Sequence, residues 1–381
     1  MTLPAVPLPL LRDLLQALIA PPLTGEAWFA RQDPAAAVRF YHRGSLALAA
    51  GIEAIRKAGG VATITVWVPD YFCDEALAPL RGLGVHLRFY PITEDLTPHW
   101  QFLEDLADRP DYPQVLILVH YFGFPNAGRE AKEFCDRRGI FFLEDGAHVL
   151  APCANMGLGT LQIYSPRKVL PVPAGGVLVL PKSLALFLEE GLRVTSGKDT
   201  LLWLCRRLMQ KVFVGLGIPW HRLWALAPDD RLCSPPGAPP PRPDLWTCDP
   251  YILSLLRLAH GEINTVGQKR RSNYHRIEMA IMGLGQARPF FPQLPPDCSP
   301  YVFPLWLEEG SEAVKTRLRG QGIHASRWPT FPPEVIDRES EHRIALRTWE
   351  RLLLLPVHQG LSLQQMSLMA ERVRAAIAEI F

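Results

Sequence analysis

Two short apolar segments of the chain end in residues that can carry out chemistry. Phe141–Leu143 is followed by Asp145 and His148, and Leu161–Tyr164 is followed by Lys168. An ionised side chain buried at the end of an apolar strand needs a charged partner. A lysine that is shielded from water can lose its proton and act as a nucleophile. The pattern therefore predicts a site in which a carboxylate and an amine act on the same bound group.

The order of these residues fits the chemistry of pyridoxal 5'-phosphate (PLP). Asp145 would pair with the protonated ring nitrogen and preserve the ring as an electron sink. Lys168 would form a Schiff base with the aldehyde and then shuttle the substrate proton. His148 would hydrogen-bond to the ring hydroxyl or pack beside the ring, and its alternative is a purely structural role. Asp145 could also cap the turn that follows it, but its place at the end of an apolar strand favours the cofactor role.

Small polar residues elsewhere could hold the cofactor's phosphate. Gly44 and Ser45 open a predicted helix, whose N-terminus offers free N–H groups to an anion, although a serine there is also an ordinary helix cap. Ser165 could add a hydroxyl group to the same phosphate. Tyr71 and Phe72 follow a predicted strand, and either ring could stack on the cofactor or pack in the core.

Helical and strand-like segments alternate from about residue 39 to residue 180, which predicts an α/β fold with a mostly parallel sheet. Ligands bind at the carboxyl ends of the strands in such sheets, so we expect four residues to approach one pocket: Asp70, His120, Asp145 and Ser165. The loop that begins at His120 would line this pocket, because no companion residues at metal-ligand spacing accompany the histidine. Helices are predicted at 45–58, 74–83, 98–107 and 127–138, and strands at 61–68, 85–90, 115–120 and 140–143.

The segment 234–243 contains so many prolines that it cannot form a helix or a central strand, and it predicts a domain boundary. We expect an N-terminal arm (1–38), a PLP-binding large domain (39–233), a proline-rich linker (234–245) and a smaller α+β domain (246–381). Within the small domain a long helix is predicted at 253–282. The apolar stretch 201–217 predicts a core or interface helix, with a membrane-surface helix as the alternative.

The composition is that of an ordinary globular protein. The chain has 381 residues, of which 48% are hydrophobic and 20% charged, and its net charge of +2 suggests no nucleic-acid partner. Its seven cysteines form no Cys-x-x-Cys pair, which argues against a zinc or redox motif and favours a reduced, cytoplasmic setting. No stretch of 18 uncharged apolar residues predicts an integral membrane segment.

Taken in order, these segments resemble the DegT/DnrJ/EryC1/StrS family of PLP-dependent aminotransferases. The likeness runs from about residue 44 to the C-terminus. Two departures stand out: the spacer between Ser165 and Lys168 is short, and the family's Gly-x-Asn-x-Arg segment, which reaches a neighbouring subunit's phosphate, is not visible. The similar segments are Gly44–Leu48 (Gly-Thr-x-Ala-Leu), Val68–Cys73 (Pro-Ser-x-Thr-aromatic), His120–Gly123 (His-x-x-Gly), Glu144–His148 (Glu-Asp-Ala-Ala-Gln/His), Met156–Ser165 (Gly-x-x-Gly-Asp…Phe-Ser), Lys168, Gly175–Gly176, Gln268–Tyr274, Gly322–Ile323 and Leu354–His358.

The resemblance implies the three-layer architecture of fold type I, with a PLP-binding large domain and a smaller C-terminal domain. It implies a homodimer that transfers an amino group from an amino acid such as glutamate to an oxo-sugar linked to a nucleotide. Arg327 corresponds to the place where the small domain approaches the substrate, and it could meet a carboxylate or phosphate there. Two alternatives remain: another lysine-dependent PLP reaction, such as elimination or carbon–carbon bond formation, and a degenerate relative without enzymatic activity.

Overall fold

A seven-stranded sheet built from residues 36–181 forms the centre of the structure. The structure is a computed structural model that describes residues 3–24, 35–107, 112–194, 197–216, 245–328 and 330–381. The strand order is β1-β7-β6-β5-β4-β2-β3; neighbouring strands from β3 to β6 are parallel, and β7 is antiparallel to both β6 and β1. The strands of this sheet are β1 (Ala36–Tyr41), β2 (Thr65–Pro69), β3 (His86–Tyr90), β4 (Val115–Val119), β5 (Phe141–Gly146), β6 (Leu161–Tyr164) and β7 (Gly176–Pro181).

Helices connect these strands and continue into the C-terminal region. Within the described ranges they are α1 (Leu11–Gln16), α2 (Gly44–Ala58), α3 (Asp74–Gly82), α4 (Trp100–Ala107), α5 (Gly128–Arg138), α6 (Pro166–Val169), α7 (Lys182–Ala185), α8 (Gly197–Gly215), α9 (Pro250–Gly261), α10 (Ile263–Ile281), α11 (Ser311–Gly320), α12 (Pro333–Ile336), α13 (Arg343–Arg351) and α14 (Leu363–Ile380), with a 3₁₀ turn at Tyr121–Gly123.

Alternate residues of the central strands pack against helices on opposite faces of the sheet. Val68 and Ile117 lie in a cluster with buried residues of α2. Trp67 and Leu116 lie in a second cluster with buried residues of α4 and α5. Because successive strand side chains point to opposite faces, both faces of this sheet are apolar and covered. The predicted three-layer α/β architecture is thus confirmed.

The C-terminal region has its own antiparallel sheet. This sheet has the order β10-β11-β12, and α10, α11 and α14 lie close to one another or to its strands. The last helix begins with a capping box, in which Ser362 and Gln365 each bond to the other's backbone N–H. The remaining strands are β8 (Arg193–Val194), β9 (Trp246–Thr247), β10 (Ala287–Pro289), β11 (Val302–Leu307) and β12 (Leu352–Pro356).

Several elements differ from those predicted. The helix expected at 253–282 is two helices, α9 and α10, separated at Glu262, whose φ of −102° and ψ of 9° are not helical. Ala36–Val38, placed in the predicted arm, begins an edge strand that pairs with β7. Leu201 and Val212 of α8 are each 60% exposed, while Trp203 and Leu204 pack against a core cluster, so one side of this helix lies at the surface.

The proline-rich segment 234–243 lies outside the described residues, and the four-region division of the chain stays a prediction. After that segment, β9 pairs in parallel with β8, which belongs to the predicted large domain. In the described ranges, no helix combines the length and apolar character needed to cross a membrane.

Candidate active site

Asp145 lies near the carboxyl end of β5, on the sheet face that is covered by α2. The preceding residue of the same parity, Leu143, belongs to the α2 cluster. Asp145 is 7% exposed, and its Oδ1 accepts the N–H of Ala147 at 2.8 Å. Burial raises the pKa of this carboxyl group, and the charges of Lys168 and His120 lower it in part. An ionised Asp145 is therefore held in a place that favours a positively charged partner.

Lys168 and His148 contact each other beside this carboxylate. Lys168 Nζ lies 3.1 Å from His148 Nε2, and His148 Nδ1 accepts the N–H of Phe122 at 3.3 Å. Since Nδ1 is an acceptor, a neutral His148 carries its proton on Nε2 and donates it to Lys168. Lys168 can accept only as a neutral amine. The hydrogen bonds thus select the form of lysine that attacks a carbonyl group.

The electrostatics agree with this protonation state. Burial lowers the pKa of Lys168, and the negative charge of Asp145 offsets part of that shift. Burial also lowers the pKa of His148 well below its ordinary value, and Lys168 adds to the effect. Because each of Asp145 and Lys168 shifts the pKa of the other, the carboxylate and the amine lie close enough to interact.

A glycine-lined cradle lies at the N-terminus of α2. A Cβ atom on Gly44 would lie 3.1 Å from Ser165 Cβ, and one on Gly176 would lie 2.1 Å from the carbonyl oxygen of Arg43. Gly175 has a φ of +144°, which an L side chain rarely adopts, and its N–H donates to the carbonyl of His42. The pair therefore meets two requirements. Gly175 adopts a backbone conformation that disfavours a side chain, and Gly176 lets the backbone of Arg43 approach closely.

The cradle brings together the residues predicted to bind a phosphate. Ser165 is 2% exposed, and its hydroxyl lies 3.5 Å from the carbonyl oxygen of Gly175. Ser45 is half-buried in the first turn of α2, where Arg43 makes no side-chain cap hydrogen bond. Arg43 and Arg167 are both exposed. These two arginines were missed in the sequence, where they stand next to the predicted phosphate residues.

His148 is also held by aromatic rings. Its ring is stacked on Tyr301 with centroids 4.6 Å apart and an interplanar angle of 5°, and it is parallel to Phe122 at 6.0 Å. Tyr301 directly precedes β11 in the C-terminal region, and its N–H donates to the carbonyl of Phe122 at 2.7 Å. The sequence offered no signal for a role of Tyr301 at this site. The stacking fixes the ring orientation that lets Nε2 reach Lys168.

Tyr71, Phe72 and Cys73, which follow β2 closely, have different surroundings. Tyr71 is fully buried, and its ring contacts Trp328 at 5.0 Å and Tyr121 at 5.6 Å between centroids. Phe72 is 2% exposed in the core. Cys73 is half-buried, and the charge of Lys168 lowers its pKa in part against the larger effect of burial. The residue of this segment beside Lys168 is therefore the cysteine, while stacking of Tyr71 or Phe72 on a cofactor stays a prediction.

His120 and Arg327 have partners of their own. His120 is 2% exposed, with Nε2 3.1 Å from Glu144 Oε1 and with Nδ1 accepting the N–H of Asn126 at 3.1 Å. Arg327 donates to Ser311 Oγ at 2.8 Å and forms an ion pair with Glu312 at 3.1 Å. Both ring nitrogens of His120 are thus engaged, and the Arg327 guanidinium is bound within the small domain. Their predicted contacts with substrate stay predictions.

Arg270 links the lysine-bearing turn to the small domain. It is fully buried; its Nη2 donates to the carbonyl of Val169 at 2.8 Å, and its Nη1 donates to the carbonyls of Pro300 and Tyr301 at 3.1 and 3.0 Å. Burial lowers its pKa to about 10. Because Val169 follows Lys168 and Tyr301 stacks on His148, one guanidinium holds both sides of the Lys168–His148 contact. The segment Gln268–Tyr274 was recognised in the sequence, but not this role.

Three polar side-chain atoms near the aromatic rings have no hydrogen-bond partner within the described part of the chain. They are Tyr71 Oη, Trp328 Nε1 and Thr330 Oγ1, and all three residues are buried. The indole ring of Trp328 meets His148 edge-on at 5.5 Å. Unpaired buried polar atoms are rare and costly in native proteins. An unpaired indole N–H on a ring that contacts both Tyr71 and His148 is typical of a place that receives a polar ligand.

Comparisons with known proteins show similarity in fold. No family model and no curated protein matches the chain. Solved structures do match. The aminotransferase TlmJ from Streptoalloteichus hindustanus is 18% identical with a TM-score of 0.70, and all of both chains is covered. A candidate sugar aminotransferase from Streptococcus pneumoniae in its PLP form is 14% identical with a TM-score of 0.70, again over both whole chains.

A DegT DnrJ EryC1 StrS aminotransferase from Brucella abortus is 15% identical with a TM-score of 0.60, covering 89% of this chain and 85% of its own. The fold that the sequence motifs implied is therefore confirmed. The chain has the fold of sugar aminotransferases of the DegT/DnrJ/EryC1/StrS type.

Proposed function

We propose that the chain is a PLP-dependent aminotransferase that acts on a sugar. The observation that carries the proposal is the contact of Lys168 Nζ with His148 Nε2 beside the buried carboxylate of Asp145. The residues fit the cofactor, since Asp145 is a buried carboxylate in need of a positive partner and Lys168 is held as a neutral amine. When bound, PLP withdraws electrons from a substrate carbon and so allows a proton to leave it.

Asp145 would hold the positive ring nitrogen of the cofactor. The pKa of Asp145 is raised by burial, and a cationic N–H beside it would stabilise the ionised form. Lys168 would hold the aldehyde covalently and, once released, would take a proton at one carbon and return it at another. His148, fixed between Tyr301 and the N–H of Phe122, would keep the lysine amine in position and neutral.

The phosphate would lie at the N-terminus of α2. Gly44 and Ser45 offer backbone N–H groups and Ser165 offers a hydroxyl, and the lack of side chains at Gly44 and Gly176 lets these segments approach one another closely. Arg43 and Arg167 add positive charge from the same chain. This positive charge would replace the phosphate contact that the Gly-x-Asn-x-Arg segment of the family makes from a neighbouring subunit.

The substrate is proposed to be an oxo-sugar linked to a nucleotide, with glutamate as the amino donor. The unpaired Tyr71 Oη, Trp328 Nε1 and Thr330 Oγ1 suit a ligand rich in hydroxyl groups, and a flat indole ring beside them suits the face of a sugar ring. Of the three solved structures named above, the one from Streptococcus pneumoniae is described as a sugar aminotransferase, which supports a sugar as the substrate.

We also propose a homodimer. Leu201, Leu202 and Val212 of α8 are 51–60% exposed on one helix, and contiguous exposed apolar surface on a protein is typical of an interaction site. Size measurement by light scattering, with Leu201→Ser and Val212→Ser together as the variant, tests this part separately from the chemistry.

Incubation with glutamate alone tests the reaction. The PLP-loaded protein should lose the visible absorption of its bound cofactor and form the pyridoxamine form with release of 2-oxoglutarate. Lys168→Ala should lose the visible band and reduce turnover by a factor of about 10²–10⁴ or more. Lys132→Ala, which removes an exposed lysine paired with Asp136, is the matched control and should behave like the unaltered protein.

Other results identify the alternatives. A cofactor band that depends on Lys168 but does not respond to glutamate or to other amino acids would favour elimination or carbon–carbon bond formation. A protein that binds no PLP at any concentration would favour the degenerate relative, and it would overturn the proposal.

A further inference from the structure

Two cysteines from distant parts of the chain lie side by side. Cys153 Sγ is 3.0 Å from Cys298 Sγ, although the two residues are 145 positions apart in sequence. Cys153 belongs to the loop after β5, and Cys298 to the segment between β10 and β11. Cys298 is 1% exposed, whereas Cys153 is half-buried and can be reached from solvent. Both are free thiols in the structure.

The surroundings of the pair differ in a way that favours reaction at Cys153. The pKa of Cys153 is lowered because the Cys298 thiol hydrogen-bonds to it, and the pKa of Cys298 is raised by the same contact and by burial. The thiolate is the nucleophile in sulfur chemistry. The more accessible sulfur is therefore also the one that ionises first, and a second thiol stands next to it.

The pair joins two segments that hold the candidate active site. Cys153 lies five residues after His148, and Cys298 lies three residues before Tyr301, whose ring stacks on His148. Ser299, next to Cys298, has its carbonyl oxygen 2.7 Å from where a Cβ on Gly123 would lie. A bond between the two sulfurs would covalently link the two segments whose His148 and Tyr301 rings stack.

We propose that Cys153 and Cys298 are a redox modification site that forms a reversible disulfide in the presence of a peroxide. The Cys153 thiolate attacks one peroxide oxygen, the O–O bond breaks, and one water leaves with a sulfenic acid on Cys153. The Cys298 sulfur then attacks Cys153, the S–S bond forms, and the second water leaves. In total the two thiols give up two electrons and two protons, and hydrogen peroxide becomes two waters.

The movement needed is small. A disulfide has an S–S distance of about 2.05 Å, so the sulfurs must approach by about 1 Å. A dithiol reductant reverses the bond by exchange through Cys153, the accessible sulfur. The bond then ties the large-domain loop that bears His148 to the small-domain segment that bears Tyr301. This proposal stands without the proposed catalytic function, because the bond can be detected in protein that carries no cofactor.

Thiol counting and peptide mass spectrometry test the site. After mild treatment with hydrogen peroxide and denaturation, the protein should show a loss of two of its seven thiols, and digestion should give a peptide that links Cys153 to Cys298. Dithiothreitol should restore both thiols. Oxidised protein should unfold at a higher temperature than reduced protein.

Matched variants separate this bond from general oxidation. Cys153→Ser and Cys298→Ala should each abolish both the linked peptide and the rise in unfolding temperature, and two separate variants guard against one that fails to fold. Cys248→Ala removes another buried cysteine and should still lose two thiols. A loss of two thiols that persists in Cys153→Ser, or oxidation of Cys153 to sulfinic acid with Cys298 left free, would overturn the proposal.

Discussion

Glu144 and Asp145 are neighbours in β5, yet they face opposite sides of the sheet and have opposite surroundings. Glu144 accepts hydrogen bonds on both oxygens, from His120 Nε2 at 3.1 Å and from the N–H of Gly159 at 2.7 Å. Asp145 accepts the N–H of Ala147 and lies beside Lys168. A carboxylate whose oxygens are both bonded by the protein stabilises the fold, whereas one whose burial raises its pKa is available to a ligand.

The histidines on the two faces follow the same division. His120 has its two ring nitrogens bonded to Glu144 and to the N–H of Asn126, so it forms part of a closed network. His148 uses one nitrogen for the N–H of Phe122 and directs the other to the lysine amine. Strand parity, more than residue type, therefore separates Glu144, which is bonded to His120, from Asp145, which lies beside Lys168.

The largest expected effect comes from exchanging each carboxylate for its amide. Asp145→Asn should reduce kcat by about 10²–10³-fold, because the charge opposite the cofactor ring is lost. The stability of the cofactor-free protein at neutral pH should be retained or increased. The folded pKa of Asp145 is raised, so its contribution to stability is complete below the unfolded pKa and is lost as pH rises through the folded value.

Glu144→Gln should instead lower stability and leave activity unchanged. An amide N–H₂ would face either the His120 ring or the N–H of Gly159, which lowers the free energy of unfolding by about 1–3 kcal/mol and leaves kcat per folded molecule unchanged. Urea unfolding and steady-state kinetics on both variants make the check. Equal losses of activity in the two variants would contradict the division between the faces.

The sequence predicted most of this arrangement, for physical reasons that are local. The apolar run that ends at Asp145, the lysine after the next strand and the glycines beside it place the chemistry at strand ends, and the alternation of a strand sets Glu144 apart from Asp145. The sequence could not show which histidine faces the lysine. Both His120 and His148 follow buried strands, and their hydrogen-bond partners come from Asn126 and Phe122 in a loop with no regular period.

Contacts between segments that are distant in the sequence could not be predicted either. Tyr301 and Arg270 reach the site from the small domain, and their positions depend on how that domain packs. The same is true of β1, whose strand character arises from pairing with β7 at the sheet edge and not from a strong pattern of its own.

Two glycine substitutions, one on each face of the sheet, should have smaller effects that again differ between the faces. Gly44→Ala adds a Cβ that would lie 3.1 Å from Ser165 Cβ, within the proposed phosphate cradle. Alanine suits the first turn of a helix, so stability should change little, while the affinity for PLP should fall by about ten- to a hundredfold, or about 1.4–2.8 kcal/mol.

Gly159→Ala is the matched change on the other face. Its Cβ would lie 2.8 Å from the carbonyl oxygen of Leu161 and 3.1 Å from Glu144 Oε2, so it should lower stability by about 1–3 kcal/mol and leave PLP affinity unchanged. Spectroscopic titration with PLP and thermal unfolding measure the two quantities. If Gly159→Ala weakens PLP binding as much as Gly44→Ala does, the cradle has been placed on the wrong face.

The smallest expected effect concerns the pH dependence of stability. Burial lowers the folded pKa of His148 well below the unfolded value of 6.5, so the unfolded chain binds the proton more readily. The stabilising contribution is complete above pH 6.5 and is lost as pH falls below it, by up to about 1.4 kcal/mol per pH unit. His148→Phe retains a ring against Tyr301 but has no proton to bind, and its unfolding free energy should fall less steeply between pH 6.5 and 5.

His358 is a control for His148, because it is buried in the same way but does not contact Lys168. Its pKa is lowered to about 3 by burial, and its ring bonds to the carbonyl of Pro4 and to the N–H of Gly360, away from the lysine. His358→Phe should flatten the pH dependence of stability in the same direction, because the thermodynamic linkage depends only on the lowered pKa. PLP binding should respond to His148→Phe alone, since only that ring contacts the amine of Lys168. Identical behaviour of the two variants in both measurements would mean that His148 is a buried structural histidine and nothing more.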